Sequence, residues 1–294
     1  MLDCLIIGGG PAGLTAATYL TRFRREACLV DAGESRASLI SETHNYPGFA
    51  GISGSDLLRR LREQAVINGA RLETGFVRSL ARRSGDRAFV ASTAQKEIVA
   101  KTVILATGLV DECPPIEGFS YDRYTGPVRF CPICDGFEAL DKRVGVLGSM
   151  ATASGKALFM RTYTRDVVVF ATDAGSARVQ QELRDKGITL AGKPERIERM
   201  DKTVVVTARG GEHHSLDVLY PALGCTVNSG LAVSLGASSD DIGMIKVDAY
   251  QQTNVEGLYA AGDVVTDLHQ ISVATAHAAI AATHVHNALP RNFR

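Results

Sequence analysis

No tryptophan occurs among the 294 residues, only six are cysteine, and 32 Lys and Arg cancel 32 Asp and Glu to leave no net charge. Without an overall basic field the chain has nothing general with which to hold nucleic acid or an anionic lipid surface. It also lacks any run of about twenty consecutive apolar residues, so no transmembrane helix is expected. No charged stretch, apolar run and cleavage site precede the first strand, so no signal peptide is expected and a cytoplasmic setting is. Six cysteines are too few for a disulfide scaffold, and only Cys131 and Cys134 stand close together. In a reducing compartment such a pair is redox-active or metal-binding.

What is present is a globular composition, 45% hydrophobic and 22% charged, long enough for about two domains. Twenty-nine glycines point to close backbone approaches, as in nucleotide-binding α/β folds. The first 31 residues read strand, glycine turn, helix, strand. Gly8, Gly10 and Gly13 satisfy G-x-G-x-x-G, with Pro11 and Ala12 opening the helix. Gly8 makes the turn, Gly10 lets a pyrophosphate approach, and Gly13 allows close helix packing. The helix N-terminus offers N–H donors and a positive dipole end to phosphate. Asp31, closing the second strand, is placed to accept from ribose hydroxyls.

Sliding the chain by 140 residues lays Gly8 on Gly148 and predicts a second strand–helix–strand unit, Arg143 to Leu147, a helix to about Arg161, and Asp166 to Phe170. Its fingerprint is damaged. Met150 replaces Gly10, Ala153 replaces Gly13, and Ala171 replaces Asp31. Two further apolar strands end in glycine turns, Val103 to Gly108 and Gly257 to Asp263, and a long Ala-rich helix is predicted from about Ile271 to Leu289. The turn-rich stretches Asp111 to Gly118 and Gly236 to Gly243 are the predicted domain connections. The expected fold is α/β, with two Rossmann-like, three-layer ββα dinucleotide-binding domains. Residues 1–112 and 244–294 form a discontinuous first domain, and 113–243 an inserted second one.

Cys131-Pro132-Ile133-Cys134-Asp135-Gly136 lies just before the second unit. Two intervening residues bring both sulfurs within disulfide range across a helical turn whose dipole favours the thiolate. With Gly8 to Gly13, His44 to Phe49, Ala106-Thr107-Gly108, Cys131 to Gly136 and Gly257 to Asp263 in this order, the chain resembles the low-molecular-weight thioredoxin reductase family of pyridine nucleotide-disulfide oxidoreductases. The resemblance covers nearly the whole chain. It implies FAD, a redox-active disulfide in the middle domain, and a homodimer. Carried over residue by residue, it makes Cys134 the flavin-facing sulfur, Cys131 the substrate-facing sulfur and Asp135 the proton carrier. It places Asn45, Ala106, Thr107, Gly108, Gly262, Asp263, Gln270 and Ile271 with Gly8 to Gly13 and Asp31 around FAD.

The chain departs from that pattern where NADPH is concerned. A Met150 side chain fills space a pyrophosphate needs, Asp173 offers a carboxylate where guanidinium groups are wanted, and Ala171 supplies no ribose acceptor for NADH. Met150 swinging aside, or Arg161 or Arg165 reaching a phosphate, would rescue the site. The partner is then a thioredoxin-like protein or a small dithiol or disulfide. Electrons run either from a dithiol through the cysteines and FAD to oxygen, or from a carrier such as ferredoxin to a disulfide. A conventional NADPH-dependent reductase and a flavin-binding redox sensor are the competing readings.

Other features carry blander readings. A structural zinc at Cys131 and Cys134 needs four ligands, and no second pair is found, so no metal is expected. Cys4, Cys28, Cys113 and Cys225 read as core residues, His213-His214 as a polar loop between strands, and Arg22, Arg24 and Arg25 as surface charge at a helix end.

Overall fold

The structure is a computed structural model describing residues 1–114 and 126–293. Residues 115–118 of the connection expected at Asp111 to Gly118 lie outside the described residues. The chain divides into two compact units, one of Met1–Ser38, Tyr46–Val110 and Thr226–Arg294, the other of Leu39–Asn45 and Asp111–Cys225. The chain therefore returns to the first unit at Thr226, ahead of the expected turn at Gly236 to Gly243, because Ala232 and Ala237 join the first unit's core.

The first stretch contains β1 (Leu2–Ile7), α1 (Pro11–Arg22), β2 (Ala27–Asp31), α2 (Gly54–Ile67), β3 (Arg71–Thr74), β4 (Ser79–Arg82), β5 (Phe89–Ser92), β6 (Glu97–Leu105) and β7 (Leu109–Asp111). Then come α3 (Pro132–Asp135), β8 (Val144–Gly148), α4 (Met150–Met160), β9 (Val167–Ala171), α5 (Ala177–Asp185) and β10 (Thr189–Ala191). These are followed by β11 (Pro194–Arg199), β12 (Val204–Ala208), β13 (His213–Leu216), β14 (Val218–Ala222) and β15 (Cys225–Val227). The chain finishes with α6 (Gly230–Val233), β16 (Leu258–Ala260) and α7 (Ile271–Ala288).

In the first unit the sheet runs β3-β2-β1-β6-β5-β4, with β16 also on β6. β1 pairs in parallel with β2 and β6, β2 with β3, and β16 with β6, while β4 and β5 are antiparallel. Phe89 of β5 lies opposite Ala100, and Leu258 of β16 opposite Val103, so the two strands share one edge of β6. A strand from late in the chain thus joins β6 on the edge opposite β1. Leu5, Ile7, Val103, Leu105, Leu258 and Ala260 pack into one core with Val77 and Phe89. Alternate residues such as Cys4 and Ile6 are also fully buried, which explains the uninterrupted apolar runs of the parallel strands. α1 packs against α2 and α7.

The second unit repeats the plan with a parallel sheet, β10-β9-β8-β14, and an antiparallel ribbon, β11-β12-β13. Its strands alternate cleanly. Val144, Val146, Val167, Val169, Val218 and Tyr220 join one core with Met150, Ala153 and Ala157 of α4. Leu147, Val168, Phe170 and Leu219 join a second core with Ile197, Val204 and Val206 of the ribbon. Each buried aliphatic side chain contributes about 1.5–3 kcal/mol, so period-two burial pins the register of these short strands.

Three expectations are corrected. Arg25 is not surface charge: it is buried and donates to His286 Nδ1 (3.0 Å), the His286 carbonyl (2.8 Å) and the Pro290 carbonyl (2.9 Å), closing the C-terminal end of α7. His213 and His214 lie within β13, paired with Thr207 and Val206. Cys4 and Cys28 are buried, their thiols pushed up to about 12 and about 11, chiefly by burial, but Cys113 and Cys225 are only half-buried.

Candidate active site

The opening glycine turn joins the end of β1 to α1, and its glycines do different work. Gly8 has φ +113°, and a Cβ there would run into the Ala106 carbonyl. A Cβ on Gly13 would overlap the Gly8 carbonyl oxygen, and one on Gly9 the Asp31 carboxylate. At Gly10 a Cβ would meet only Ser35 Oγ, at 3.3 Å. Gly10 is also the N-cap of α1, with no side-chain cap and Pro11 following. Helix geometry leaves the Ala12 and Gly13 N–H groups without intrahelical acceptors. An uncapped, positively polarised terminus beside a side-chain-free position fits a pyrophosphate.

Three other cofactor candidates, Ala106, Asp31 and Gly262, meet that turn or the first turn of α1. Gly262 has φ +83° and its Cβ position lies 3.1 Å from Ala12 Cβ, so the closing Gly-Asp corner abuts the first turn of α1. Asp31 Oδ2 accepts from Arg62 Nη2 at 2.5 Å, and Oδ1 accepts from the Gly33 N–H at 2.9 Å. Asp263 Oδ2 accepts from Arg36 Nη1 at 3.3 Å. The Ala106-Thr107-Gly108 turn is held by Asn228, whose Nδ2 donates to the Thr107 carbonyl (3.0 Å) and whose own carbonyl accepts from Thr107 Oγ1 (2.6 Å). Gln270 is the N-cap of α7, and Ile271 its first residue.

In the second unit Cys131 and Cys134 form a disulfide, with S–S 2.06 Å and Cα–Cα 5.3 Å. Pro132 opens α3, and Cys131 is its N-cap, Sγ accepting the Cys134 N–H at 3.2 Å. A single turn carries little macrodipole, so this direct N–H is the main helix contribution to a Cys131 thiolate. Gly136 ends the turn where a Cβ would meet the Pro132 carbonyl and, at 2.7 Å, the Tyr163 ring. Asn45 belongs to this unit, its Nδ2 donating to the Ile133 carbonyl at 3.4 Å and its Oδ1 accepting from Thr43 at 2.9 Å. Asp135 is the last residue of α3. Its Oδ1 accepts from the Tyr220 hydroxyl at 2.7 Å, and its Oδ2 lies 3.8 Å from Arg129 Nε. Burial raises the Asp135 carboxyl above its ordinary range, against the opposing pull of Tyr220 and Arg129.

The N-terminus of α4 contrasts with that of α1. Ser149 Oγ caps it by accepting the Thr152 N–H at 3.2 Å. The Met150 N–H donates to Asp173 Oδ1 at 3.0 Å. Met150 is buried in the core of this unit, and a Cβ on Gly175, at φ +59°, would collide with its side chain. Asp173 therefore turns back from the end of β9 onto the donor that a phosphate would use.

Sequence spacing missed Arg36, Arg62, Arg129, Asn228 and Tyr220, because each reaches its partner only through the fold. Tyr220 had a legible signal: a phenol inside the fully buried strand β14 requires a hydroxyl partner. Among the described residues no cluster of His, Cys, Asp or Glu is suited to a metal, and no helix is long and apolar enough to cross a membrane.

Known proteins agree in family. The pyridine nucleotide-disulphide oxidoreductase profile matches residues 2–282. The chain is 30% identical to the thioredoxin reductase of Mycoplasmopsis pulmonis, over 98% of both chains, and 32% identical to that of Helicobacter pylori, over 90% of this chain and 91% of the other. Its fold superposes on the crystal structure of HlmI with TM-score 0.90 and 27% identity, covering 97% and 92% of the two chains. On the thioredoxin reductase of Streptococcus pyogenes the TM-score is 0.89 and the identity 27%, covering 98% and 97%. A glycine cradle suited to a dinucleotide, a two-cysteine turn and these likenesses place the chain in the pyridine nucleotide-disulphide oxidoreductase family, as a thioredoxin reductase-like, FAD-dependent oxidoreductase acting on disulfides.

Proposed function

We propose that the chain passes electron pairs between a dithiol or disulfide substrate and FAD through Cys131 and Cys134, without efficient use of NADPH. The first unit is the FAD domain in this reading. Gly8, Gly10, Pro11, Ala12 and Gly13 hold the pyrophosphate, Asp31 the ribose, and Ala106 to Gly108, Gly262, Asp263, Gln270 and Ile271 the remainder. The second unit, though built like a nucleotide domain, serves as the disulfide carrier.

A substrate thiolate attacks Cys131 Sγ, the Cys131–Cys134 bond breaks, and Cys134 leaves as thiolate. The second substrate thiol then attacks the substrate sulfur of the mixed disulfide, releasing substrate disulfide and the Cys131 thiolate held by the Cys134 N–H. Two protons and two electrons have left the substrate. Asp135 takes up a proton and returns it to the leaving sulfur in the opposite direction. Bound FAD supplies the acceptor for the pair, with oxygen or an external carrier beyond it.

The observation that carries the NADPH-independent reading is the Asp173 carboxylate on the Met150 N–H. A pyridine nucleotide would have to displace this carboxylate, move a buried methionine and tolerate a nearby negative charge. The second reading, an NADPH-dependent thioredoxin reductase, draws on the names of the relatives. Anaerobic mixing with dithiothreitol, NADPH and NADH, followed at the flavin absorbance, separates them. We expect bleaching by dithiol at least about 100-fold faster than by either nucleotide, a difference of about 2.7 kcal/mol in barrier. Rapid bleaching by NADPH overturns the reading. Repeated turnover with oxygen excludes a one-cycle redox sensor. A thioredoxin-like protein or small dithiol as partner, a homodimer and a cytoplasmic setting extend the family resemblance, and light scattering on the purified flavoprotein tests the dimer.

A further inference from the structure

We propose that Tyr220 is a positioning residue for Asp135, and that with Arg129 it sets the pH range in which the Cys131–Cys134 pair exchanges electrons with a dithiol. The inference rests on the reading of Asp135 as the proton carrier and goes beyond it, to what governs that carboxylate.

Tyr220 sits in the middle of β14, fully buried, on the face that also packs against α4. An apolar ring would satisfy that packing equally well. The hydroxyl instead reaches the turn of α3, donating at 2.7 Å to Asp135 Oδ1 and lying 3.3 Å from the Asp135 carbonyl. The other carboxylate oxygen faces Arg129 Nε at 3.8 Å, and Arg129 Nη1 donates to the Asp135 carbonyl at 3.2 Å. Side chain and main chain of Asp135 are thus gripped from two directions, directly after Cys134.

Other charged groups among the described residues lie close by. Glu138, in the turn after α3, opposes ionisation of Asp135, and His44 Nε2 lies 4.0 Å from Glu138 Oε1. Lys156 of α4 donates to the Phe130 carbonyl (3.3 Å) and the Pro221 carbonyl (2.8 Å). Burial keeps the Tyr220 phenol well above its ordinary range, and a guanidinium does not deprotonate, so neither grip loses its proton at working pH. Asp135 is the member of the trio that titrates. Burial raises its carboxyl, and donation from Tyr220, followed by the charge of Arg129, pulls it back down. Without the hydroxyl the carboxylate would be less ionised at a given pH and held from the Arg129 side alone.

The test is the rate of anaerobic flavin reduction by dithiothreitol between about pH 5 and pH 9, divided at each pH by the thiolate fraction of the dithiol, on the purified flavoprotein. Proton uptake by Asp135 requires its ionised form, so the wild-type rate falls on the acid side. Tyr220→Phe should move that acid limb upward by about one pH unit, as loss of one hydrogen bond to a charged acceptor implies. FAD content should be unchanged. Site-specific 2,3,5-trifluorotyrosine at position 220, a stronger donor of nearly the same shape, should move the limb downward. A lower rate with an unshifted limb in Tyr220→Phe, or no downward shift with trifluorotyrosine, overturns the proposal. If Tyr220→Phe fails to fold, the trifluorotyrosine variant decides. Asp135→Asn separates the two levels. A limb that survives this substitution sinks the reading of Asp135 as proton carrier. A limb that vanishes with Asp135→Asn, yet ignores Tyr220, sinks only the present inference.

Discussion

Two glycines of one motif make opposite demands. A Cβ at Gly13 would strike the Gly8 carbonyl, a backbone atom that cannot turn aside, whereas at Gly10 it would meet only the rotatable end of Ser35. Gly13→Ala should therefore destabilise the chain itself by about 2 kcal/mol or more, seen as a lower Tm even after FAD is stripped. Gly10→Ala should leave the stripped protein within about 0.5 kcal/mol of wild type and weaken FAD retention at least about tenfold. Equal losses of Tm in the two variants would refute this division of labour. Asp135 offers a check by pH. Its folded-state carboxyl titrates above the unfolded value, so between the two the native chain holds more protons and stability falls as pH rises. The stability of Asp135→Asn relative to wild type should accordingly rise from about pH 4 towards neutrality, in thermal melts across pH, and a flat difference would contradict it.

At the level of elements, the helices following β1 and β8 hold equivalent places in their units and present chemically opposed N-termini. α1 keeps its first-turn donors uncapped, whereas α4 is closed by Ser149 and Asp173 over a buried Met150. Removing both obstacles should reopen the second turn. Met150→Gly with Asp173→Ala should raise the affinity for NADH by about tenfold or more, measured by isothermal titration, with Asp173→Ala alone giving less because the methionine still fills the approach. No gain in the double variant would place the barrier elsewhere. The G-x-G-x-x-G spacing of α1 and its loss in α4 were legible from residue order. The capping by Asp173 was not, since it depends on how the chain turns after β9 and on Gly175 accommodating the Met150 side chain.

For the whole molecule, the arrangement of the chain into two units has a measurable consequence. Unit 1 brings residues from both chain ends together, with β16 on β6 and Gly262 against Ala12. A ligand bound there stabilises only the folded form, so FAD at about 100 times its Kd should add about 2.7 kcal/mol, a rise of a few degrees in Tm that stripping the flavin reverses. A melt insensitive to FAD would deny the cofactor this site.

Residue order by itself determined the repeated strand–helix–strand plan, the cradle of Gly8 to Gly13, the two-cysteine turn and the family, because each depends on local spacing and near-neighbour sterics. Even Leu39–Asn45, read as part of the first domain, shows the limit: it packs with the second unit, a choice made by contacts distant in sequence. Only the tertiary structure decided that Tyr220 and Arg129 hold Asp135, that Arg62 holds Asp31 and Arg36 holds Asp263, that Asn228 pins Thr107, and that Arg25 closes α7. The physical reason is common to all of them. A long polar side chain chooses its partner by where folding leaves a complementary group within hydrogen-bond range, and that distance is written in no local pattern.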